Sequence, residues 1–209
     1  MQRELIIFDM DGTLVDSSMT IAYAINFVRS KLALPDMDPY HIIDKVNDHT
    51  LNPAKYFYEI EAFEPQHEEW FAQYYTENHE RELQLYDGIA ELLHNLKKSG
   101  VKLAVATNAY RVSTIESLTH LGIYDLFDAI ACHDDVALGK PYPDMLYKIL
   151  DELEIEADKT LFVGDGSRDE MAAKRANIEY IMVNWGFSDY DNALHSVAKL
   201  EETLMVKLG

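Results

Sequence analysis

Leu5-Ile6-Ile7-Phe8-Asp9-Met10-Asp11-Gly12-Thr13-Leu14-Val15-Asp16-Ser17 is the stretch whose reading decides the fold. Its first four residues are consecutive apolar side chains rather than an alternation, the pattern of a strand buried on both faces, as in a parallel sheet. The run ends in two carboxylates with one residue between them, followed by a glycine. Carboxylates so close repel each other unless a proton or a cation intervenes. A hard divalent cation with oxygen ligands, Mg2+ above all, resolves that conflict. Gly12 frees the backbone to turn sharply, and Thr13 offers a hydroxyl and an amide to an anion. Alone, Asp-x-Asp is also how an ordinary strand ends in an acidic turn, so the rest of the chain must decide.

The 209 residues suffice for one or two domains with a real core. Acidic residues outnumber basic ones 37 to 18, for a formal net charge of -19. That field repels DNA, RNA and anionic lipid, so neither nucleic acid nor membrane is expected as a partner. A phosphorylated substrate would be repelled too, and needs local positive charge from a metal and lysines. The single cysteine, Cys132, excludes an internal disulfide and fits a reducing compartment. The apolar run after Met1-Gln2-Arg3-Glu4 is too short for a signal peptide, and nothing reaches the length of a membrane span. The expected location is the cytoplasm.

Beyond the first strand the pattern is helical to about residue 82. A helix begins at Asp16 or Ser17 and carries Ile21, Ala24, Ile25, Val28 and Leu32 on one face, with Pro35 and Pro39 closing it. Helices over Tyr40–Val46, Pro53–Ile60 and Pro65–Arg81 follow. From Asp87 the chain alternates: a helix Gly88–Lys98, a strand Val101–Ala106 ending in Thr107-Asn108, a helix Val112–Leu121 and a strand Ala129–Cys132. Next come the loop Gly139-Lys140-Pro141, a helix to Leu153, a strand Thr160–Val163 ending in Gly164-Asp165, a helix Asp169–Ala176, a strand Tyr180–Val183 and a closing helix from Tyr190.

Five short apolar strands alternating with helices predict an α/β fold, a Rossmann-like doubly wound parallel sheet. The first crossover is anomalous, because about 90 residues stand where one helix suffices. The excess reads as an inserted α-helical cap domain over residues 16–85, leaving 1–15 with 86–209 as the core domain. Its aromatics, among them Tyr56, Phe57, Tyr58, Trp70, Phe71, Tyr74 and Tyr75, are spaced as a helical core.

Ligands of such sheets bind beyond the carboxyl ends of the strands, where Asp9, Asp11, Thr107, Asn108, Lys140, Asp165 and Asp169 all fall. One carboxylate could attack a phosphoryl group and hold it as an acyl phosphate, and the second could protonate the leaving oxygen and then activate water. Lys140, read at the start of a helix, opposes the macrodipole there, which favours a functional role over a structural one. Pro141 restricts it to an extended backbone. Asp165 and Asp169, four apart at a strand-to-helix junction, can point at one ion, although Asp169 also suits a helix N-terminus. Cys132 suits a buried apolar position better than a nucleophile's.

These residues carry a resemblance. Asp9-Met10-Asp11-Gly12-Thr13-Leu14-Val15-Asp16-Ser17, Ala106-Thr107-Asn108, Gly139-Lys140-Pro141-Tyr142-Pro143 and Gly164-Asp165-Gly166-Ser167-Arg168-Asp169 resemble, in order, the four motifs of the haloacid dehalogenase superfamily. With the inserted cap and Trp185-Gly186, the likeness is to its phosphoglycolate phosphatases. The resemblance implies Asp9 as nucleophile and Asp11 as acid/base. It implies Thr107, Asn108 and Lys140 around the phosphoryl group. Mg2+ would be held by Asp9, Asp165 and the carbonyl of Asp11, with Asp169 close by. Asp11 argues against carbon–halogen hydrolysis, since the superfamily's dehalogenases lack it.

Two departures concern the core: Gly166 stands where Ser or Thr is usual, and Asn177 where a glycine often ends the helix. In the cap, Lys45-Val46-Asn47-Asp48-His49-Thr50 replaces a glycine-containing substrate loop, which makes Asn47, Asp48 and His49 the candidates for substrate choice. The expected function is thus a Mg2+-dependent phosphomonoester hydrolase acting on a small metabolite, possibly phosphoglycolate. The alternatives are a phosphomutase of beta-phosphoglucomutase type and a binding protein that keeps the fold without catalysis.

Overall fold

The computed structural model describes residues 3–46, 48, 50–185 and 192–209, with the side chains of 79 and 80 excepted. The chain falls into two compact units, Met1–Asp16 with Gln84–Gly209, and Ser17–Leu83.

The larger unit is built on β1 (Leu5–Phe8), whose four side chains are all fully buried. Burial on both faces explains why the strand reads as an unbroken apolar run. The other parallel strands are β4 (Lys102–Ala106), β5 (Ala129–Ala131), β6 (Thr160–Gly164) and β7 (Glu179–Met182), in the order β5-β4-β1-β6-β7. Phe8 lies opposite Val105 on one side and Val163 on the other. The residues that follow each strand are thereby brought level at one edge.

Two layers of helix cover the sheet. Leu5, Ile7, Ala104 and Ala106 pack with Met145, Leu146 and Ile149 of α7 (Asp144–Leu153) and with Ala172, Ala173 and Ala176 of α8 (Ser167–Ala176). The alanines of α8 let that helix sit close to the sheet. On α5 (Ile89–Ser99), Ile89, Leu92, Leu93 and Leu96 are buried, and α5 packs against β4 and α9 (Val197–Leu208). The remaining helix of this unit is α6 (Arg111–His120).

Two short strands were not anticipated. β2 (Val15–Asp16) and β3 (Gln84–Leu85) pair antiparallel, clamping together the two passages of chain into and out of the smaller unit. A second difference lies at the C-terminus, where the closing helix begins at Val197 rather than near Tyr190. Residues 190 and 191 lie outside the described residues. Leu194 bridges to Val183, with its N–H on Met182 O (2.8 Å), which holds residues 192–196 out of helix. Ser196 then caps α9 by accepting from Lys199 N–H.

The smaller unit holds α1 (Ser18–Lys31), α2 (Pro39–Val46), α3 (Pro53–Tyr58) and α4 (Pro65–Glu82). Three of these open on proline, which suits the first helical position because its missing N–H has no partner there anyway. Pro39 therefore starts α2 instead of closing α1, which ends at Lys31. Ala22, Ile25, Val28, Ile42, Phe57 and Tyr58 form the core of this unit, with Trp70 and Phe71 packed against it. No helix among the described residues is long and apolar enough to cross a membrane.

Candidate active site

The chain leaves β1 toward β4 but leaves β6 toward β7, so the strand order reverses between β1 and β6 and a crevice opens at their carboxyl ends. Asp9 stands at its centre. Its N–H donates to Val163 O (2.8 Å), extending the β1–β6 ladder one residue beyond the strand. Asp165 follows β6 directly, and Asp169 lies in the first turn of α8. One carboxylate oxygen from each of Asp9, Asp165 and Asp169 lies within 4.8 Å of the others.

Glycines make that convergence possible. At Gly12 φ is +81°, and a Cβ there would lie 2.3 Å from Asp165 Oδ2. Only a residue without a side chain lets the turn after Asp11 lie against that carboxylate. At Gly164 a Cβ would meet Asp169 Oδ2 at 2.6 Å.

Lys140 enters from the loop between β5 and α7. It lies four residues before α7 rather than at its start, and it is 7% exposed. Its Nζ donates to Asp9 Oδ1, lies 2.7 Å from Asp169 Oδ1, and stands 5.7 Å from the centre of the Phe162 ring. Burial alone would lower the Lys140 pKa, but the charges of Asp169 and Asp9 more than reverse this and raise it. For Asp9, burial raises the pKa well above the usual carboxylate range; Lys140 opposes the rise, and Asp169 and Asp165 add to it. Asp165 is pushed up to about 7, first by burial and then by Asp169, against the pull of Lys140.

The site thus sets three carboxylates against one ammonium in a largely dry place, leaving negative charge in excess. Oxygen donors at that spacing, with a charge deficit to match, fit a hard divalent cation such as Mg2+. Asp169 does a second job as well, since Oδ2 accepts from Gly166 N–H (3.3 Å) at the N-terminus of α8.

The other candidate residues are placed as follows. Asp11 is half-buried and its carboxylate is outside the cluster, yet close enough to raise Asp165. Thr107 is buried at the end of β4, and its Oγ1 accepts from Ala109 N–H (3.0 Å), forming a tight turn. The Asn108 side chain is turned onto the backbone of Lys140: Oδ1 accepts from Lys140 N–H (2.9 Å) and Nδ2 donates to Lys140 O (3.0 Å). In the smaller unit, Asp48 Oδ1 accepts from the amide and hydroxyl of Thr50 (2.9 and 2.6 Å). Asn47 and His49 lie outside the described residues.

Sequence reasoning gave no role to Phe162 and Tyr180. Phe162 offers its face to Lys140, and Tyr180 packs edge-on against Phe162 (5.8 Å between centroids) while its hydroxyl donates to Gly166 O (3.2 Å). Burial, then the charges of Asp169, Asp165 and Asp9, raise the Tyr180 pKa. As strand residues they were legible only as core. Trp185, which entered only through the family likeness, donates Nε1–H to Thr13 O (2.9 Å) and so holds the turn after Asp11.

Residues 6–183 match the family model described as haloacid dehalogenase-like hydrolase. The chain is 31% identical over 208 residues to a phosphoglycolate phosphatase of Colwellia psychrerythraea, covering 90% of this chain and 87% of that protein. It is 30% identical to the phosphoglycolate phosphatase of Aquifex aeolicus, covering 98% and 95%. The crystal structure of CbbY from Rhodobacter sphaeroides in complex with phosphate superposes with a TM-score of 0.75 at 26% identity, over 95% of this chain and 96% of that one. The chain therefore belongs to the haloacid dehalogenase-like hydrolases, and it is a phosphatase.

Proposed function

We propose that this chain hydrolyses the phosphomonoester of a small metabolite in the cytoplasm, with Mg2+ as cofactor and a phosphoryl group carried transiently on Asp9. The observation that carries the reading is Lys140, buried and held between Asp9 and Asp169, with Asp165 completing the cluster. A stability role would favour partners that cost less to desolvate.

The steps follow from the residues. One oxygen of the Asp9 carboxylate attacks phosphorus as the bond to the leaving oxygen breaks. Asp11 donates a proton to that oxygen, and an alcohol departs. Asp11, now ionised, takes a proton from water; the water oxygen attacks phosphorus, the acyl phosphate bond breaks, and orthophosphate leaves with Asp9 restored. Each proton transfer contributes about 10²–10⁴ in rate. Lys140 holds the phosphoryl oxygens by charge, and Thr107 with the amides after it offers neutral donors. A divalent cation held by Asp9, Asp165 and the carbonyl of Asp11, with Asp169 beside it, supplies the positive charge that lets an anionic ester approach.

Substrate choice is assigned to the helical insertion, the proposed cap, and within it to Asn47, Asp48 and His49. Phosphoglycolate is the first candidate, because relatives of this length carry that name. Phosphate release from a panel of phosphorylated metabolites with Mg2+ is the test. Turnover of none of them, nor of an activated aryl phosphate, would remove the reading. Alanine at Asn47, Asp48 or His49 is expected to raise KM for the true substrate far more than for the aryl phosphate, since remote contacts act only on a substrate with a remote part. Equal effects on both substrates would take substrate choice away from that loop.

A further inference from the structure

The Asn108 carboxamide is committed to backbone. It accepts the N–H and donates to the C=O of one residue, Lys140, thirty-two positions along the chain. A side chain that satisfies both backbone groups of one residue acts as a two-point splice, fixing position and orientation together.

We propose that Asn108 is a positioning residue, whose carboxamide fastens the Lys140 loop to the end of β4 and thereby sets where the Lys140 ammonium stands. The inference rests on the phosphatase reading and adds to it how the lysine is aimed. Lysine is a poor choice for aim by itself, because a flexible four-carbon stem carries its charge. The stem can deliver Nζ reproducibly only if its root is fixed. Beyond the root, Nζ reaches Asp9 after β1, Asp169 on α8 and the face of Phe162 on β6. Asn108 supplies an anchor from the β4 side, since β4 lies beside β1 and their register brings Thr107 and Asn108 to the same edge, while Arg175 of α8 holds Pro141 O from the other.

A second observation points the same way. The residue before Lys140 is Gly139, where a Cβ would lie 2.7 Å from both Asn108 Oδ1 and His133 Nδ1. Any side chain at 139 would press on the carboxamide and open the splice. Asn108 and Gly139 therefore form one device. Two motifs separated in sequence are joined so that the phosphate-binding lysine is held in register with the nucleophile. Displacement of a catalytic group by about 1 Å is enough to cost about 10²-fold in rate.

The experiment is a double-mutant cycle on kcat/KM for 4-nitrophenyl phosphate with Mg2+, using wild type, Asn108→Ala, Lys140→Ala and the double variant. Asn108→Ala is expected to lose about 10–10²-fold, and Lys140→Ala more. If Asn108 acts only through the lysine, the double variant will be no slower than Lys140→Ala. Losses that multiply would overturn the proposal, because Asn108 would then act on the substrate directly, and so would wild-type kinetics in Asn108→Ala. Should Asn108→Ala fail to fold, Asn108→Ser, which is neutral and polar but too short to span both hydrogen bonds, takes its place in the same cycle.

A readout free of turnover separates this proposal from the functional reading. In protein labelled at the lysine ε-carbons, the Lys140 signal, identified by its loss in Lys140→Ala, should move toward the solvated-lysine position in Asn108→Ala. An unmoved signal overturns the splice whether or not the wild type hydrolyses any ester. An inactive wild type with a moved signal removes only the phosphatase reading.

Discussion

Among the described residues a lysine and an arginine are buried, one in each unit, and they keep different company. Lys140 in the larger unit is 7% exposed and its polar partners are carboxylates, Asp9 and Asp169. Arg29 near the end of α1 is 4% exposed, and its guanidinium donates to backbone carbonyls: Nε–H to Pro35 O (2.8 Å) and an Nη1–H to Phe57 O. Arg29 ties the chain after α1 to the end of α3, beside Ile25, Val28 and Phe57 in the core. Its partners are neutral backbone carbonyls, one donor to each. Those of Lys140 are ionisable and outnumber it. The difference teaches how to sort buried charge: a cation on carbonyls is a tie, and a cation among excess carboxylates is a site prepared for another charged species.

The largest effect that would sharpen this contrast is on Asp9. Asp9→Asn removes the proposed nucleophile and should lower phosphate release by about 10⁴-fold or more. It also removes a carboxylate that burial, and then the charges of Asp169 and Asp165, hold above the usual range, so the metal-free variant should melt no lower than wild type. Asp11→Asn leaves the nucleophile in place but loses the acid and base, so labelled phosphate from an activated aryl ester should accumulate on it. Acid-quenched protein tells the two apart. Label on Asp9→Asn, or a marked loss of stability in it, would break the comparison.

Next in size is the exchange of the two cations for methionine. Lys140→Met should cost about 10²–10³-fold in kcat/KM, as removal of a preorganised charge does, and any loss of stability from the unbalanced carboxylates should be restored by Mg2+. Arg29→Met should do the reverse. It leaves two carbonyls without their donor and should destabilise by about 2–4 kcal/mol, while the folded fraction keeps kcat within about twofold. Urea unfolding and initial rates on the same preparations decide it. Similar profiles for the two variants would mean that the kind of partner does not sort buried charge.

The same contrast governs what the sequence revealed. Leu5 to Phe8 could be read because four buried apolar residues in a row have few meanings, and the carboxylates after them announce a charge that burial would penalise. Lys140 was singled out on a different ground, a place at a helix start that it does not occupy, since α7 begins four residues later; its burial among carboxylates left no trace in the sequence. Pairings between distant residues were not legible either. Val15 with Leu85 makes a two-residue ribbon, too short to leave a periodic trace. Leu194 on Val183 moved the start of α9, since a single bridge outweighed a helical pattern. Asn108 was named as a site residue, but nothing in the sequence said where its carboxamide would turn. A carboxamide beside Thr107 looks like an anion ligand, and only the fold shows Lys140 within its reach. Arg29 left no signal at all, for a carbonyl partner is invisible in a sequence.

The smallest effect separates the two cations by pH. Asp165 has its folded pKa raised to about 7 from an ordinary value of 3.8, and Asp9 is raised as well. Between those limits the native state binds protons that the unfolded chain has released, so metal-free stability must fall as pH rises through the window. Comparing pH 6 with pH 8 keeps clear of the acid range, where ordinary carboxylates such as Asp135, held low by its hydrogen bonds from Arg111, act with the opposite sign. For one group of pKa near 7, that step is worth about 1 kcal/mol, or about 2–4 °C in Tm for a chain of this size. With chelator present, Tm should be higher at pH 6 than at pH 8 by that margin. Asp165→Asn should flatten the difference. Saturating Mg2+ should cancel or invert it, because the ion displaces the proton and binds better as pH rises. Arg29→Met should lower both melting points and leave their difference intact, since carbonyls do not titrate. A metal-free protein that melts higher at pH 8, or an Asp165→Asn variant with the wild-type difference, would show that the carboxylates around Lys140 are not the strained partners described above.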